Sequence, residues 1–219
     1  MTIEKLIIKK INKKGSIDVG KFIQLCQFEN NGYYIRNNPI GDKNDFITSP
    51  EISQMFGEVL SIFIINYWEN KIKTNFNLVE LGPGKGTLLK DLLRTSSKNQ
   101  KFLNALNITL VEKNKHLIQL QKNSVNFENT NWSEEFNITN KHLPSIIYSN
   151  EFFDCFPVRQ FYKKEKWYEK IIKYRNTEKS FTFASQKVED NKILKALQKF
   201  DQVKVAEISE SRIKYFDLI

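Results

Sequence analysis

Of the eight glycines in this 219-residue chain, three fall at positions 82, 84 and 86, and none occurs from Thr87 to Ile219. Glycine used so sparingly elsewhere and then three times in one short stretch points to a fixed backbone path. The stretch reads F-N-L-V-E-L-G-P-G-K-G-T-L-L-K-D-L-L-R from Phe76 to Arg94. Phe76 to Leu81 is a short β-prone run, and from Thr87 apolar residues recur at 88, 89, 92 and 93, the spacing of one helical face. Strand, glycine turn, helix is the predicted order, and it implies an α/β fold.

A turn of this kind lets backbone approach a ligand closely, because no Cβ intervenes, and it presents the unsatisfied N–H groups of a helix start. A triphosphate loop would need G-x-x-x-x-G-K-[ST], but Lys85 is followed by Gly86 and no glycine stands five residues before Gly84. A dinucleotide fingerprint would need G-x-G-x-x-G, and here the third glycine comes one residue early. Glu80, two residues before Gly82, completes acid-x-G-x-G-x-G, which resembles motif I of class I S-adenosylmethionine-dependent methyltransferases. A second acid is then expected at the end of the next strand to accept from ribose hydroxyls. I-T-L-V-E from Ile108 to Glu112 supplies it, followed by a helical pattern that includes Leu117, Leu120 and Gln121.

Composition excludes several other classes. Two cysteines, Cys26 and Cys155, cannot build a disulfide framework and lie in no C-x-x-C or Cys/His cluster, so a reducing compartment and no bound metal are expected. His116 and His142 lack metal-compatible partners and read as surface residues. The longest apolar run, Val59 to Trp68, holds Ser61 and Asn66 and is about half of the roughly twenty residues a membrane span needs. Net charge +9 invites a nucleic-acid reading, yet 29 of the 34 basic residues are Lys and Asn is as overused at 23 copies. That skew fits a coding bias and a solvated surface better than Arg-based phosphate or base contacts. No targeting segment is visible at the start of the chain.

Four blocks narrow the resemblance: N-G-Y-Y at 31–34, D-F-I-T-S-P-E-I-S-Q-M-F-G-E at 45–58, E-L-G-P-G-K-G-T-L at 80–88 and N-E-F-F-D-C-F-P-V-R-Q at 150–160. In that order, over roughly residues 16 to 212, they are similar to the MidA family, whose mitochondrial members are complex I assembly-factor methyltransferases. The resemblance implies a Rossmann-like core and S-adenosyl-L-methionine as cofactor. For the mitochondrial members it implies symmetric dimethylation of an arginine on a core subunit of NADH:ubiquinone oxidoreductase. It also implies that Thr48, Ser49 and Glu51 lie on a loop that folds over the cofactor pocket. Two departures are visible. Asn44 stands where the family has glycine before D-F-I-T, and the family continues into a strand ending in D-Y-G that this chain lacks. A chain truncated at the C-terminus, inside the helix that leads to that strand, is therefore expected, leaving the edge beyond Ser145–Ser149 unpaired.

The division expected is an N-terminal helical cap over 1–73, a Rossmann-like cofactor-binding core over 74–156, and a β-hairpin insertion with the start of a helix over 157–219. In the cap, residues 1–12 and 18–28 read as helices. S-P-E at 49–51 reads as a helix start with Ser49 as N-cap, followed by a buried face of Ile52, Met55, Phe56, Val59, Leu60, Phe63 and Tyr67. From Val158 to Phe183 aromatic and β-branched residues alternate with charges, as in hairpins.

Cofactor-binding candidates are Thr48, Ser49, Glu51, Glu80, Gly82, Gly84, Gly86 and Glu112. Trp132, just past a strand expected at 124–127, either stacks on the adenine or belongs to the core. Catalytic candidates are Asn150, Glu151 and Asp154, at the carboxyl end of the fourth expected strand, where open α/β sheets place their chemistry. Two acids at i and i+3 of a helical turn would face one way and could hold a guanidinium in bidentate fashion. Asn150 and Glu151 are assigned near the transferable methyl, and Asp154 to orienting the substrate or loop. The simpler alternative is that both acids only start a helix.

The expected partner is a protein substrate, with no membrane insertion, no nucleic acid and pairing with a second copy left open. The expected location is cytoplasmic in a bacterium or the mitochondrial matrix in a eukaryote. Two other functions stay open: a non-catalytic remnant that keeps the cofactor turn, and an RNA methyltransferase with a Lys-rich patch.

Overall fold

The computed structural model describes residues 1–30, 32–36, 47–138, 140–200 and 202–218. Asn31 of the first block, Asn44, and Asp45 and Phe46 of the second lie outside the described residues. In chain order the elements are α1 (Ile3–Lys14), β1 (Ile17–Asp18), α2 (Val19–Phe28), α3 (Tyr33–Arg36), α4 (Ser49–Ile52) and α5 (Gln54–Tyr67). There follow β2 (Phe76–Leu81), α6 (Thr87–Thr95), α7 (Gln100–Ala105), β3 (Leu106–Val111), α8 (Lys115–Ser124), β4 (Thr130–Ser133) and β5 (Ser145–Ser149). The last elements are β6 (Arg159–Lys163), β7 (Trp167–Arg175), β8 (Ser180–Lys187), α9 (Asn191–Gln198), β9 (Val205–Ile208) and α10 (Glu210–Leu218).

Two compact units result, one of residues 38–154 and one of residues 1–37 with 155–219. This grouping cuts across the segment expected as a single cap. α1 and α2 belong with the antiparallel strands, because their apolar stripe meets β7, whereas α4 and α5 belong with the parallel sheet, because α5 packs on α6.

In the unit of residues 38–154, four parallel strands run in the order β4-β3-β2-β5. β2 is buried along its whole length, as a strand covered on both faces is, and this includes the polar Asn77 and Glu80 within its F-N-L-V-E-L run. Phe76, Leu78, Leu89, Leu92, Phe102, Leu106, Ile108 and Leu110 form the core between sheet and helices. Asn77 is buried among them but satisfied: its Nδ2 donates to the Asn140 carbonyl at 2.8 Å and to Ser145 Oγ at 3.1 Å, which holds the approach to β5. β5 stands at the edge of the sheet, and Ser145 and Ser149 are exposed.

Three expectations fail in this unit. First, the strand expected at 124–127 lies at 130–133. Helix α8 runs on to Ser124, and Val125 and Phe127 pack into the core from the connection. Second, Thr48 rather than Ser49 is the N-cap of α4, its side chain makes no cap bond, and the helix ends after one turn at the extended Ser53. Ser53 Oγ then accepts from the Met55 N–H and starts α5 afresh. Third, most of the face of α5 expected to be buried points outward, with Met55 69%, Val59 61% and Phe63 66% exposed, and of that face Leu60 packs on the core. The buried stripe is Gly57, Ser61 and Ile64, continuing to Trp68. Small residues there let α5 approach α6, and a Cβ on Gly57 would run into the carboxylate of Asp91.

In the other unit an antiparallel sheet is built on β7, which pairs with β8 along its length, with β6 beside Trp167–Glu169 and with β1 beside Ile171 and Ile172. β9 extends it beyond β6. This is the hairpin region the alternating sequence predicts. Ile7, Ile11, Ile17, Val19, Leu25 and Ile172 form one core cluster, and Phe161, Trp167, Val188, Leu197 and Ala206 another. Arg159 of the fourth block donates from Nε to Glu169 Oε1 at 2.7 Å and from Nη2 to Oε2 at 2.9 Å. The buried carboxylate of Glu169 is thereby paired rather than stranded.

Candidate functional site

Parallel register assembles the candidate residues. Leu81 at the end of β2 pairs with Val111 at the end of β3 and with Ser149 at the end of β5. The residues that follow, Gly82, Glu112 and Asn150, therefore share one row at the carboxyl edge of the sheet. Backbone bonds carry the β2–β3 and β3–β4 ladders one residue further, from the Gly82 N–H to the Val111 carbonyl at 3.0 Å and from the Glu112 N–H to the Ser133 carbonyl at 2.9 Å.

From Gly82 the chain turns through three glycines with φ of +63°, +56° and +76° at positions 82, 84 and 86, a region that only glycine enters without strain. The Gly86 N–H closes the turn on the Pro83 carbonyl at 2.8 Å, and α6 starts at once. The N–H groups of Gly84 and Lys85 donate to no backbone carbonyl among the described residues. The bend is not bare on every side. A Cβ on Gly82 would sit 2.6 Å from the Phe152 ring, and one on Gly86 3.4 Å from both Gln121 and Val125.

α4 is tied to this turn. Glu51 accepts from Lys85 Nζ at 3.1 Å and from the Thr87 hydroxyl. Burial works against its charge, but the hydrogen bonds from Thr87 and Lys85 and the Lys85 charge outweigh it, holding the carboxyl below the usual range. Thr48 and Ser49 flank Glu51 on the same short helix, and the Thr48 carbonyl accepts from the N–H groups of Glu51 and Ile52.

Glu80 lies one step inside the sheet. It is buried, and its carboxylate accepts from the hydroxyl of Tyr148, its register partner on β5, at 2.9 Å. Burial pushes its pKa up to about 7, with the Tyr148 bond opposing, while the phenol is pushed well above its ordinary value by burial and by Glu80. Glu112 is raised by burial, with backbone N–H groups of Asn114 and Lys113 opposing, and its Oε1 accepts from the Asn114 N–H at 2.8 Å.

Asn150, Glu151 and Asp154 follow β5, with Glu151 at φ +52° and a short 3₁₀ turn over Phe153–Cys155. The two exposed acids meet. A hydrogen bond with Asp154, then the Asp154 charge, hold Glu151 above the usual carboxylate range.

Trp132 lies within β4, opposite Leu110, and packs against the core. Its Nε1 donates to Gln121 Oε1 at 3.1 Å, and Lys122 Nζ sits 5.4 Å from the ring centroid. Gln121 has 0% exposure, and its Nε2 donates to the Gly84 carbonyl at 2.7 Å. Sequence reasoning placed Gln121 only on a helical pattern. The available signal was a polar residue one turn after Leu117, on the face α8 buries.

Open backbone donors, a left-handed glycine path and an acid at the end of β3 are a donor set suited to a nucleoside with a ribose diol and a charged amino-acid tail. Among the described residues no group of three His, Cys, Asp or Glu could hold a metal ion, and no helix is long and apolar enough to cross a membrane.

Residues 59–219 match the profile of a protein family described as "Putative S-adenosyl-L-methionine-dependent methyltransferase". The chain is 35% identical over 191 residues to the Bos taurus protein named protein arginine methyltransferase NDUFAF7, mitochondrial, the match covering 76% of this chain and 43% of that one. Its Homo sapiens namesake is 34% identical over 191 residues with the same coverage of 76% and 43%, and the Drosophila melanogaster homolog is 29% identical, covering 78% and 44%. The chain thus spans less than half the length of these relatives. A Burkholderia thailandensis crystal structure bound to S-adenosyl-homocysteine matches with a TM-score of 0.79 at 18% identity, over 97% of this chain and 57% of that one. That likeness is one of fold.

Proposed function

Because the chain belongs to the family of S-adenosyl-L-methionine-dependent methyltransferases whose profile covers residues 59–219, we propose that it binds this cofactor on the Gly82–Gly86 turn and transfers its methyl group to a protein arginine. The observation that carries the reading is the row of Gly82, Glu112 and Asn150 at the carboxyl edge of the sheet, with Glu51 tied to the turn through Lys85 and Thr87. The cofactor, when bound, supplies an electrophilic methyl carbon on a sulfonium. In this reading the N–H groups of Gly84 and Lys85 and the carboxylate of Glu112 hold it, Thr48, Ser49 and Glu51 cover it, and Glu80 supports the turn from inside the sheet. Trp132, its indole N–H committed to Gln121 and its ring packed on the core, serves as a support more readily than as a stacking surface.

Arginine as the methyl acceptor is supported by the names of the relatives and by the paired acids after β5. A guanidinium is cationic and presents its N–H groups as a fork, so two carboxylates that already face each other can grip it and accept the proton it loses on methylation. Asn150, next to Glu151, stands where the acceptor nitrogen must arrive. A complex I subunit is the substrate suggested by family resemblance, with the matrix or the bacterial cytoplasm as the place of work.

Titration calorimetry with S-adenosylhomocysteine tests the first step: saturable binding at one site is expected, and its absence would end the methyltransferase reading. Mass spectrometry of arginine-containing peptides incubated with enzyme and cofactor tests the second. A modified lysine or an unmodified pool would remove arginine from the proposal. Saturable binding without turnover on any protein or RNA acceptor would instead mark a chain that holds the cofactor without catalysis.

A further inference from the structure

A turn with three left-handed glycines can twist its peptide planes at little cost, so something must choose the direction each plane faces. The plane between Gly84 and Lys85 decides most for a ligand. In a trans peptide the carbonyl of one residue and the N–H of the next point in opposite directions. Whatever holds the Gly84 carbonyl therefore aims the Lys85 N–H the other way. The holder is Gln121, whose Nε2 donates to that carbonyl at 2.7 Å across 37 residues of sequence.

Gln121 is completely buried, so no water can take over either bond, and the amide ends are not interchangeable. Its Oε1 accepts from Trp132 Nε1 at 3.1 Å. Reversing the amide would turn its NH₂ toward the indole N–H and its oxygen toward the Gly84 oxygen, which is repulsive at both ends. Packing completes the arrangement: Gln121 Cγ and Val125 Cγ2 sit where a Cβ on Gly86 would lie within 3.4 Å.

We propose that Gln121 is a positioning residue for the cofactor: it fixes the Gly84–Lys85 peptide so that the Lys85 N–H faces the ligand, and Trp132 sets which end of the Gln121 amide meets the turn. The role rests on the methyltransferase reading above, and it makes Trp132 part of the positioning chain.

Three variants of the full chain separate the two bonds. Gln121→Met keeps the volume and removes both, Gln121→Glu keeps an acceptor for Trp132 and, read at a pH high enough to ionise its buried carboxyl, removes the donor to Gly84, and Trp132→Phe keeps an aromatic ring and removes the donor to Gln121. S-adenosylhomocysteine affinity is measured by calorimetry well below each melting temperature, and the Lys85 backbone amide is followed by NMR during the same titration. Expected are at least a tenfold loss of affinity in Gln121→Met and Gln121→Glu, a smaller loss in Trp132→Phe, and no further loss when Trp132→Phe is added to Gln121→Met. The Lys85 amide should shift on binding in the wild type and lose that response in the Gln121 variants. A residue that only stabilised the fold would lower the melting temperature and leave the affinity of the folded protein and the Lys85 response unchanged. Affinity within twofold of wild type in folded Gln121→Met overturns the proposal while leaving the methyltransferase reading in place. Should Gln121→Met fail to fold, the same twofold criterion in Gln121→Glu decides. A wild-type chain that takes up no S-adenosylhomocysteine overturns that reading, and the proposal with it.

Discussion

α5 and α6 pack against each other, yet only α6 buries what its sequence advertises. In α6 the leucines at 88, 89 and 92 are buried, with Asp91 beside them at the α5 contact, and Arg94 is exposed. Asp91 apart, polar residues on one side and apolar ones on the other leave a single way to orient such a helix. α5 is apolar nearly all round, so hydrophobicity alone ranks no face above another. Volume decides instead. Gly57 and Ser61 let two helices come close, and the Ser61 hydroxyl bonds back to the Gly57 carbonyl, so that this donor is not stranded by the approach. Close approach secures many dispersion contacts along the whole seam, which outweighs burying a few larger side chains on a face that would hold the helices apart.

Truncation at the two buried faces should sharpen this contrast. Leu89→Ala, at a fully buried position, should cost about 3 kcal/mol of unfolding free energy, the usual price of a leucine-sized cavity. Urea unfolding measures it, and a loss under about 1 kcal/mol would mean that α6 is not seated as described.

β2 offers a second buried polar group whose effect depends on pH. Glu80 has its folded pKa raised to about 7 from an ordinary 4.5. Between those values the folded protein binds more protons than the unfolded chain, so unfolding free energy should fall as pH rises through the window and stay low above it. The full change amounts to about 3 kcal/mol, taking about 1.4 per pH unit. Glu80→Gln keeps an acceptor for the Tyr148 hydroxyl and should remove most of that slope. Unfolding curves at pH 5 and pH 8 for both proteins check it, and an unchanged slope in the variant would assign the pH dependence elsewhere.

Gly57→Ala tests the seam itself and should cost about 2 kcal/mol, the middle of the range for overpacking. The added methyl would meet not only the Asp91 carboxylate but also Asp91 Cβ, 2.6 Å away, which no side-chain rotation removes. The helices would have to part. If bulk on the outer face held α5, the same change would be neutral or slightly stabilising, since alanine favours helix over glycine.

How much the amino acids disclosed follows from the same distinction. Strand β2, the turn and α6 were legible because β-prone residues, three glycines and an amphipathic repeat all point one way. Glu112 was legible as the acid closing the next strand. The register that puts Gly82, Glu112 and Asn150 in one row was not, since strand pairing depends on crossovers that no local pattern encodes. β4 was missed because T-N-W-S has little of the β-branched character that marks a strand, and Val125 and Phe127 nearby looked more like one. Gln121 was missed because its meaning lies in two partners, 37 residues before it and 11 after it. The α4–α5 break was hidden because S-P-E is a good helix start, and nothing in I-S-Q announces that the helix stops and begins again at Ser53.

The outer face of α5 is where the smallest effect is expected, and there the contrast with α6 is easiest to break. Val59 and Phe63 lie one turn apart and are both more than half exposed, so replacing them with lysine removes little buried area and strands no polar group. Val59→Lys with Phe63→Lys should shift unfolding free energy by no more than about 0.5 kcal/mol, even though two large apolar residues are lost. Lysine also favours helix over valine, which partly offsets any lost contact. Urea unfolding of the double variant beside Gly57→Ala gives the decisive ranking. If two exposed lysines cost more than one added methyl at Gly57, the outer face is covered in solution and the helix is held from that side as well.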